Sequence, residues 1–152
     1  MGALNYYTDG ATSPNPGQGG WAFILVEDDV IIADKGGYEK YTTNQRMELL
    51  AALSACLDAS ARGALSNPFG EQITIFTDSA YLHNCYKQNW YTKWVMNGWV
   101  NSKKEKVANQ DLWEKLIPFF ECPLITFSKV KGHSDNKYNN IVDELAVSYR
   151  MG

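Results

Sequence analysis

Two short apolar runs in this chain, residues 3–8 and 72–77, end on the same pattern: an aromatic residue, a threonine and an aspartate. Tyr7-Thr8-Asp9-Gly10 closes the first and Phe76-Thr77-Asp78-Ser79 the second. Both runs read as strands, and a stretch of helical periodicity lies between them. Strands joined across a helix suit parallel pairing in a mixed α/β sheet. In such sheets sites form beyond the carboxyl ends of the strands. As parallel neighbours the two runs would bring Asp9 and Asp78 to about 5 Å, the strand spacing. Two like charges that close do not both ionise comfortably without a cation.

The remaining pattern supports one mixed α/β domain over residues 1–152. Residues 21–26 form a continuous apolar run, and residues 30–33 follow across the acidic turn Glu27-Asp28-Asp29. Between the first two strands, SPNPGQGG reads as a loop by its proline and glycine content. From Thr43 the pattern turns helical, with Thr or Asn able to cap the start and Gly63 able to end it. On that helix Glu48 shares a stripe with Ala52, Ala55 and Ala59. Small residues there let the helix lie close to a sheet, so the Glu48 carboxylate points inward. Residues 79–97 read as one or two short helices rich in Trp and Tyr, and residues 103–106 as a charged loop. Residues 110–119 are helical up to the region of Pro118, residues 124–130 form a last strand, and residues 138–150 a last helix.

Composition narrows the function classes. The three cysteines, Cys56, Cys85 and Cys122, are widely spaced and include no CxxC pair. That argues against a disulfide framework or a cysteine-ligated zinc and suits a cytoplasmic protein. No run reaches 18 apolar residues and the first ten residues lack the pattern of a signal peptide, so no membrane role is expected. The net charge of −3 excludes whole-protein attraction to polyanions. A nucleic-acid partner would have to be held by a local patch.

Adding Glu48 and Asp143 to Asp9 and Asp78 gives four carboxylates with no histidine or cysteine cluster. Converged on one point, they make an oxygen-only site suited to Mg²⁺ or Mn²⁺. Two such ions about 3.5–4 Å apart serve phosphodiester cleavage. Taken singly, each residue also has a plainer reading: Asp9 as a turn residue, Asp78 as a helix cap, Glu48 and Asp143 as solvated helix charges.

The segments YTDGATSPNPGQGGWAFIL, TTNQRMELLAAL, ITIFTDS, NQDLW and VKGHSDNKYNNIVDELA occur in the order seen in type 1 ribonuclease H, and the chain resembles that family over nearly its whole length. The resemblance implies an RNase H-like fold, a five-stranded mixed β-sheet flanked by α-helices. It implies endonucleolytic hydrolysis of the RNA strand of RNA–DNA hybrids with two Mg²⁺ ions, Mn²⁺ being a possible substitute. The family's metal-binding quartet falls on Asp9, Glu48, Asp78 and Asp143. His133, which by itself reads as a structural or exposed loop histidine, matches a residue thought to assist proton transfer or product release. Asn15, Asn44 and Gln45 resemble the family's minor-groove readers, and Thr43 and Asn109 its pocket for a phosphate of the DNA strand. Trp90 and Trp94 match aromatics of its DNA channel, with core packing as the competing role and at least one ring expected to be largely buried. The family precedent is a monomer with no obligatory protein partner.

Four positions depart from the family pattern. Tyr41 stands where many relatives place an Arg in the phosphate pocket. Residues 94–99 lack the usual Lys/Arg run, for which Lys87, Lys93, Lys103, Lys104 and Lys106 compensate in part. Ser134-Asp135 and Asn140 replace commoner residues around the last motif. None removes a metal ligand. Two other functions fit the same residues less well: a nuclease of this fold acting on DNA, and a non-catalytic hybrid-binding module.

Overall fold

A computed structural model describes residues 3–66, 70, 72–130 and 136–152. Strands β1 (Leu4–Ser13), β2 (Gly17–Glu27) and β3 (Val30–Thr42) form an antiparallel meander. Helix α1 (Asn44–Ala61) leads to β4 (Ile73–Thr77), which pairs with β1 in parallel from Leu4↔Ile73 to Tyr7↔Phe76. Helices α2 (Ala80–Gln88), α3 (Trp90–Met96) and α4 (Gln110–Phe120) precede β5 (Ile125–Lys129), parallel to β4, and α5 (Lys137–Arg150) closes the chain. The sheet order is β3-β2-β1-β4-β5. A five-stranded mixed sheet with helices on both faces meets the sequence expectation.

The meander extends further than its apolar runs predict. Within SPNPGQGG only Pro14-Asn15-Pro16 turn the chain, while Ser13 and Gly17 to Gly20 are strand. The glycines are there for close approach: a Cβ on Gly20 would stand 2.3 Å from the backbone nitrogen of Arg150 in α5. β3 runs to Thr42 rather than stopping at residue 33, because the main-chain ladder to β2 continues through polar and glycine residues. As the edge strand it does not need an apolar side-chain pattern to pair. Asp28 and Asp29, both with positive φ, make the tight turn between β2 and β3, as a two-residue hairpin requires.

Strands β1 and β2 feed both faces. Tyr6, Phe23 and Leu25 point into the larger core with α1, α2, α3 and α4. Tyr7, Ala22, Ile24 and Val26 pack under Val142 and Ala146 of α5. α1 starts at Thr43, whose hydroxyl accepts from the Arg46 N–H at 3.2 Å. Its stripe of Glu48, Ala52, Ala55 and Ala59 is buried against the sheet. Residues 80–96 form two helices, divided at Asn89 by a positive φ. α4 continues two residues past Pro118, which has no N–H to return to the preceding turn.

Candidate metal and nucleic-acid site

The carboxyl ends of β1 and β4 deliver the two aspartates side by side. The shared register offset that pairs Tyr7 with Phe76 carries on to Asp9 and Asp78. α1 supplies the third group. A carboxylate oxygen from each of Asp9, Glu48 and Asp78 lies within 4.8 Å of the others. Asp143, on the exposed side of α5, lines the same open hollow of about 400 Å³. Its carboxylate reaches that of Asp9. Asp9 continues the strand alternation of Tyr7 and so leans towards α5.

Close approach of α1 to β1 sets Glu48. A Cβ on Gly10 would lie 2.6 Å from the backbone of Met47 and of Glu48. The bare Gly10 N–H donates to Glu48 Oε1 at 2.8 Å and to Asp9 Oδ1 at 2.9 Å. The buried Thr77 hydroxyl accepts from the Ser79 N–H at 3.1 Å and donates to Glu48 Oε2 at 3.4 Å. Glu48 is thereby held at both oxygens. The sequence by itself gives neither support a role: Thr77 belongs to the duplicated Thr-Asp ending, and Gly10 follows it in only one of the two strands.

Burial and mutual repulsion set the electrostatics. Burial pushes the Asp9 carboxyl up to about 8 from its ordinary 3.8, with Asp143 and Asp78 adding to the rise. Glu48 also lies well above its usual range, through burial first and then the charges of Asp9 and Asp78. Two buried carboxylates with elevated proton affinity and, among the described residues, no cationic side chain hydrogen-bonded to them are a donor set that a hard divalent cation satisfies. The residues present fit such an ion, which Asp9, Glu48 and Asp78 would hold.

The flanking residues form two further surfaces. Asn15 Oδ1 accepts from the Asn44 N–H at 3.2 Å, and Asn44 Oδ1 accepts from the Thr12 N–H at 2.8 Å. Backbone N–H groups only donate, so both amide oxygens face inward and both NH₂ groups remain for a ligand. Gln45 lines the acidic hollow with Asn44. On the other side Trp90 and Trp94 line a cleft of about 430 Å³ with Tyr81 and Lys93. Tyr81 belongs to both hollows and joins them. Trp94 is only 8% exposed and packs on Trp99 and Trp113, whereas Trp90 is half-buried. Thr43 is exposed at the start of α1, and Asn109 stands at the start of α4. His133 lies outside the described residues, as do Ser134 and Asp135.

The RNase H family model matches residues 1–150. The chain belongs to the RNase H family. Ribonuclease H of Acetivibrio thermocellus is 46% identical over 150 residues, covering 96% of this chain and 93% of that protein. Ribonuclease H of Chlorobaculum parvum is 43% identical over 143 residues, covering 94% and 92%. In fold, the chain is similar to a foamy viral protease–reverse transcriptase solved in complex with an RNA/DNA hybrid, with a TM-score of 0.79 and 20% identity, over 98% of this chain and 20% of that one. The activity is that of the family, ribonuclease H hydrolysis. As a family member the chain presents a sheet end where acidic residues fit metal binding, and the resemblance carried by its motifs stands.

Proposed function

We propose that this ribonuclease H cleaves the RNA strand of RNA–DNA hybrids with two Mg²⁺ ions held by Asp9, Glu48, Asp78 and Asp143. The observation that carries this reading is the convergence of three carboxylates at the end of two parallel strands, two of them buried. Bound divalent cations supply an activated water and stabilise charge on the leaving oxygen. The protein's own groups bind and orient. The amides of Asn15 and Asn44 donate to acceptors in the wide minor groove, where 2′-hydroxyls and base edges are exposed. Acceptors occur there on every base pair, so fixed donors read the groove without sequence preference. Gln45 stands beside them. The cleft at Trp90, with Trp94 as its floor, receives the DNA strand, and Thr43 and Asn109 grip one of its phosphates. His133 moves a proton or assists product release, which suits an imidazole near neutral pH.

The whole of residues 1–152 acts as one catalytic domain in this reading, as a monomer in the cytoplasm. The family match over residues 1–150 supports the first point. No helix among the described residues is long and apolar enough to cross a membrane. The deciding assay compares strand-labelled RNA–DNA hybrid, RNA duplex and DNA duplex, each with Mg²⁺ and with EDTA. Cleavage confined to the RNA strand of the hybrid, abolished by EDTA, is expected. Cleavage of plain DNA duplex, or hybrid binding without any cleavage, would replace it.

A further inference from the structure

We infer that Arg46 is a positioning residue for substrate binding: it fixes the side-chain amide of Asn109 with its NH₂ group turned to the incoming DNA-strand phosphate. The inference rests on the proposed role of Asn109 in gripping that phosphate.

Three observations lead to it. Asparagine at the start of a helix ordinarily turns its side chain back to cap that helix. Asn109 does not: its φ of 63° places it in the left-handed region, and its side chain makes no capping bond to α4. The α4 amides of Leu112 and Trp113 are met by the Asn109 main-chain carbonyl instead, both at 3.0 Å. The side-chain amide is therefore released from its local duty.

Arg46 then sets its orientation. The Arg46 Nη1 donates to Asn109 Oδ1 at 3.2 Å. A guanidinium has no acceptor, so the amide atom facing it must be the oxygen, and the NH₂ group faces away. Asp111 holds the guanidinium in turn through a two-pronged contact, at 3.0 and 2.7 Å. That contact holds the Asp111 carboxyl below its usual range. With its charge matched by Asp111 and both terminal nitrogens engaged by Asn109 and Asp111, Arg46 is placed as a brace and not as a phosphate ligand. Its main-chain N–H occupies the acceptor side of Thr43 Oγ1, which leaves the Thr43 hydroxyl proton to donate outward. One residue thus turns two neutral side chains, Thr43 and Asn109, into outward-facing donors. Asn109 borders an open pocket with Lys106 and Gln110, and Gln110 engages the nearby Glu114 at 3.2 Å.

The test is a double-mutant cycle on hybrid cleavage. Asn109→Ala should raise KM about tenfold with kcat within about twofold, the loss of one hydrogen bond to a charged group. Arg46→Met should raise KM about three- to tenfold in the native background and less than about twofold in Asn109→Ala, since it acts through that residue. The dependence of log affinity on log salt should keep its slope in Arg46→Met, because no phosphate contact of its own is lost. Arg46→Lys, which keeps a donor, should restore part of the KM, and the melting temperatures of all variants should exceed the assay temperature. Additive effects, or a salt slope reduced by about one in Arg46→Met, would show that Arg46 touches phosphate itself and overturn the inference. An Arg46→Met enzyme with native KM beside an impaired Asn109→Ala would overturn it as well. An Asn109→Ala enzyme with native KM would instead remove the pocket reading beneath it.

Discussion

At Asp9, burial and the neighbouring carboxylates both oppose ionisation. The folded protein binds the Asp9 proton more tightly than the unfolded chain does, so ionisation opposes folding. Below an ordinary pKa of 3.8 both states are protonated and the effect is absent. As pH rises from there through about 8, the folded state loses stability relative to the unfolded one. The metal-free protein should therefore melt at progressively lower temperature between about pH 4 and pH 8. Saturating Mg²⁺ should flatten that decline, because it binds the folded state and offsets the charge. Melting curves at several pH values, with EDTA or with Mg²⁺, check this; an unchanged slope with Mg²⁺ would argue against a cation at this cluster.

Asp78 is half-buried beside Asp9 and Glu48. Asp78→Asn should lower turnover by orders of magnitude while the fold survives or gains slightly from relieved repulsion. Single-turnover cleavage and a thermal melt on the same preparation separate the two effects. His133→Ala should lower kcat by about 10–10³-fold with KM nearly unchanged, as fits a group that only moves a proton or assists product release. A destabilised variant with normal kcat per folded molecule would return His133 to a structural role.

At the scale of elements, the decisive contact is α1 against β1. It depends on Gly10, where any Cβ would meet the α1 backbone at 2.6 Å. Gly10→Ala cannot be absorbed by a flexible side chain, since the obstacle is main chain. It should destabilise the protein by about 2–4 kcal/mol, the range of a severe overpacking. It should also displace Glu48, whose Oε1 is held by the Gly10 N–H. Activity measured well below the melting temperature should therefore fall by more than the unfolded fraction explains. Gly63→Ala is the comparison: it sits at the end of α1 with φ +77° and open surroundings, so only strain acts there and activity per folded molecule should persist.

At the scale of the whole molecule, a net charge of −3 leaves substrate attraction to local groups. The helical segment around α3 exposes Val95 and Met96 in place of a run of cations. Tyr41 is 74% exposed beside Thr42 and Thr43, at the position where the family resemblance implies an Arg in many relatives. Tyr41→Arg should tighten hybrid binding and steepen the salt slope by about one, as one added phosphate contact predicts. Titrations at several salt concentrations decide it, and an unchanged slope would place Tyr41 outside the phosphate path.

Much of this protein was legible in its sequence because its main signals are local. The Thr-Asp endings of two strands, the alanine stripe beneath Glu48 and the helix start at Thr43 each rest on period, cap or turn chemistry within a few residues. The quartet could be named from motifs, and its parallel strand pairing followed from the helix between the two runs. Strand ends were less legible. β3 reaches Thr42 and β2 begins at Gly17 because a main-chain ladder forms irrespective of side-chain pattern, and Gly20 answers to α5 far along the chain. Which amide faces which partner was not in the sequence at all. The elevated proton affinity of Asp9 and Glu48, the grip of Gly10 and Thr77 on one carboxylate, and the brace from Asp111 through Arg46 to Asn109 arise between residues distant in the chain. Burial, like-charge proximity and hydrogen-bond direction are properties of packed neighbours, and only the tertiary structure decides who those neighbours are.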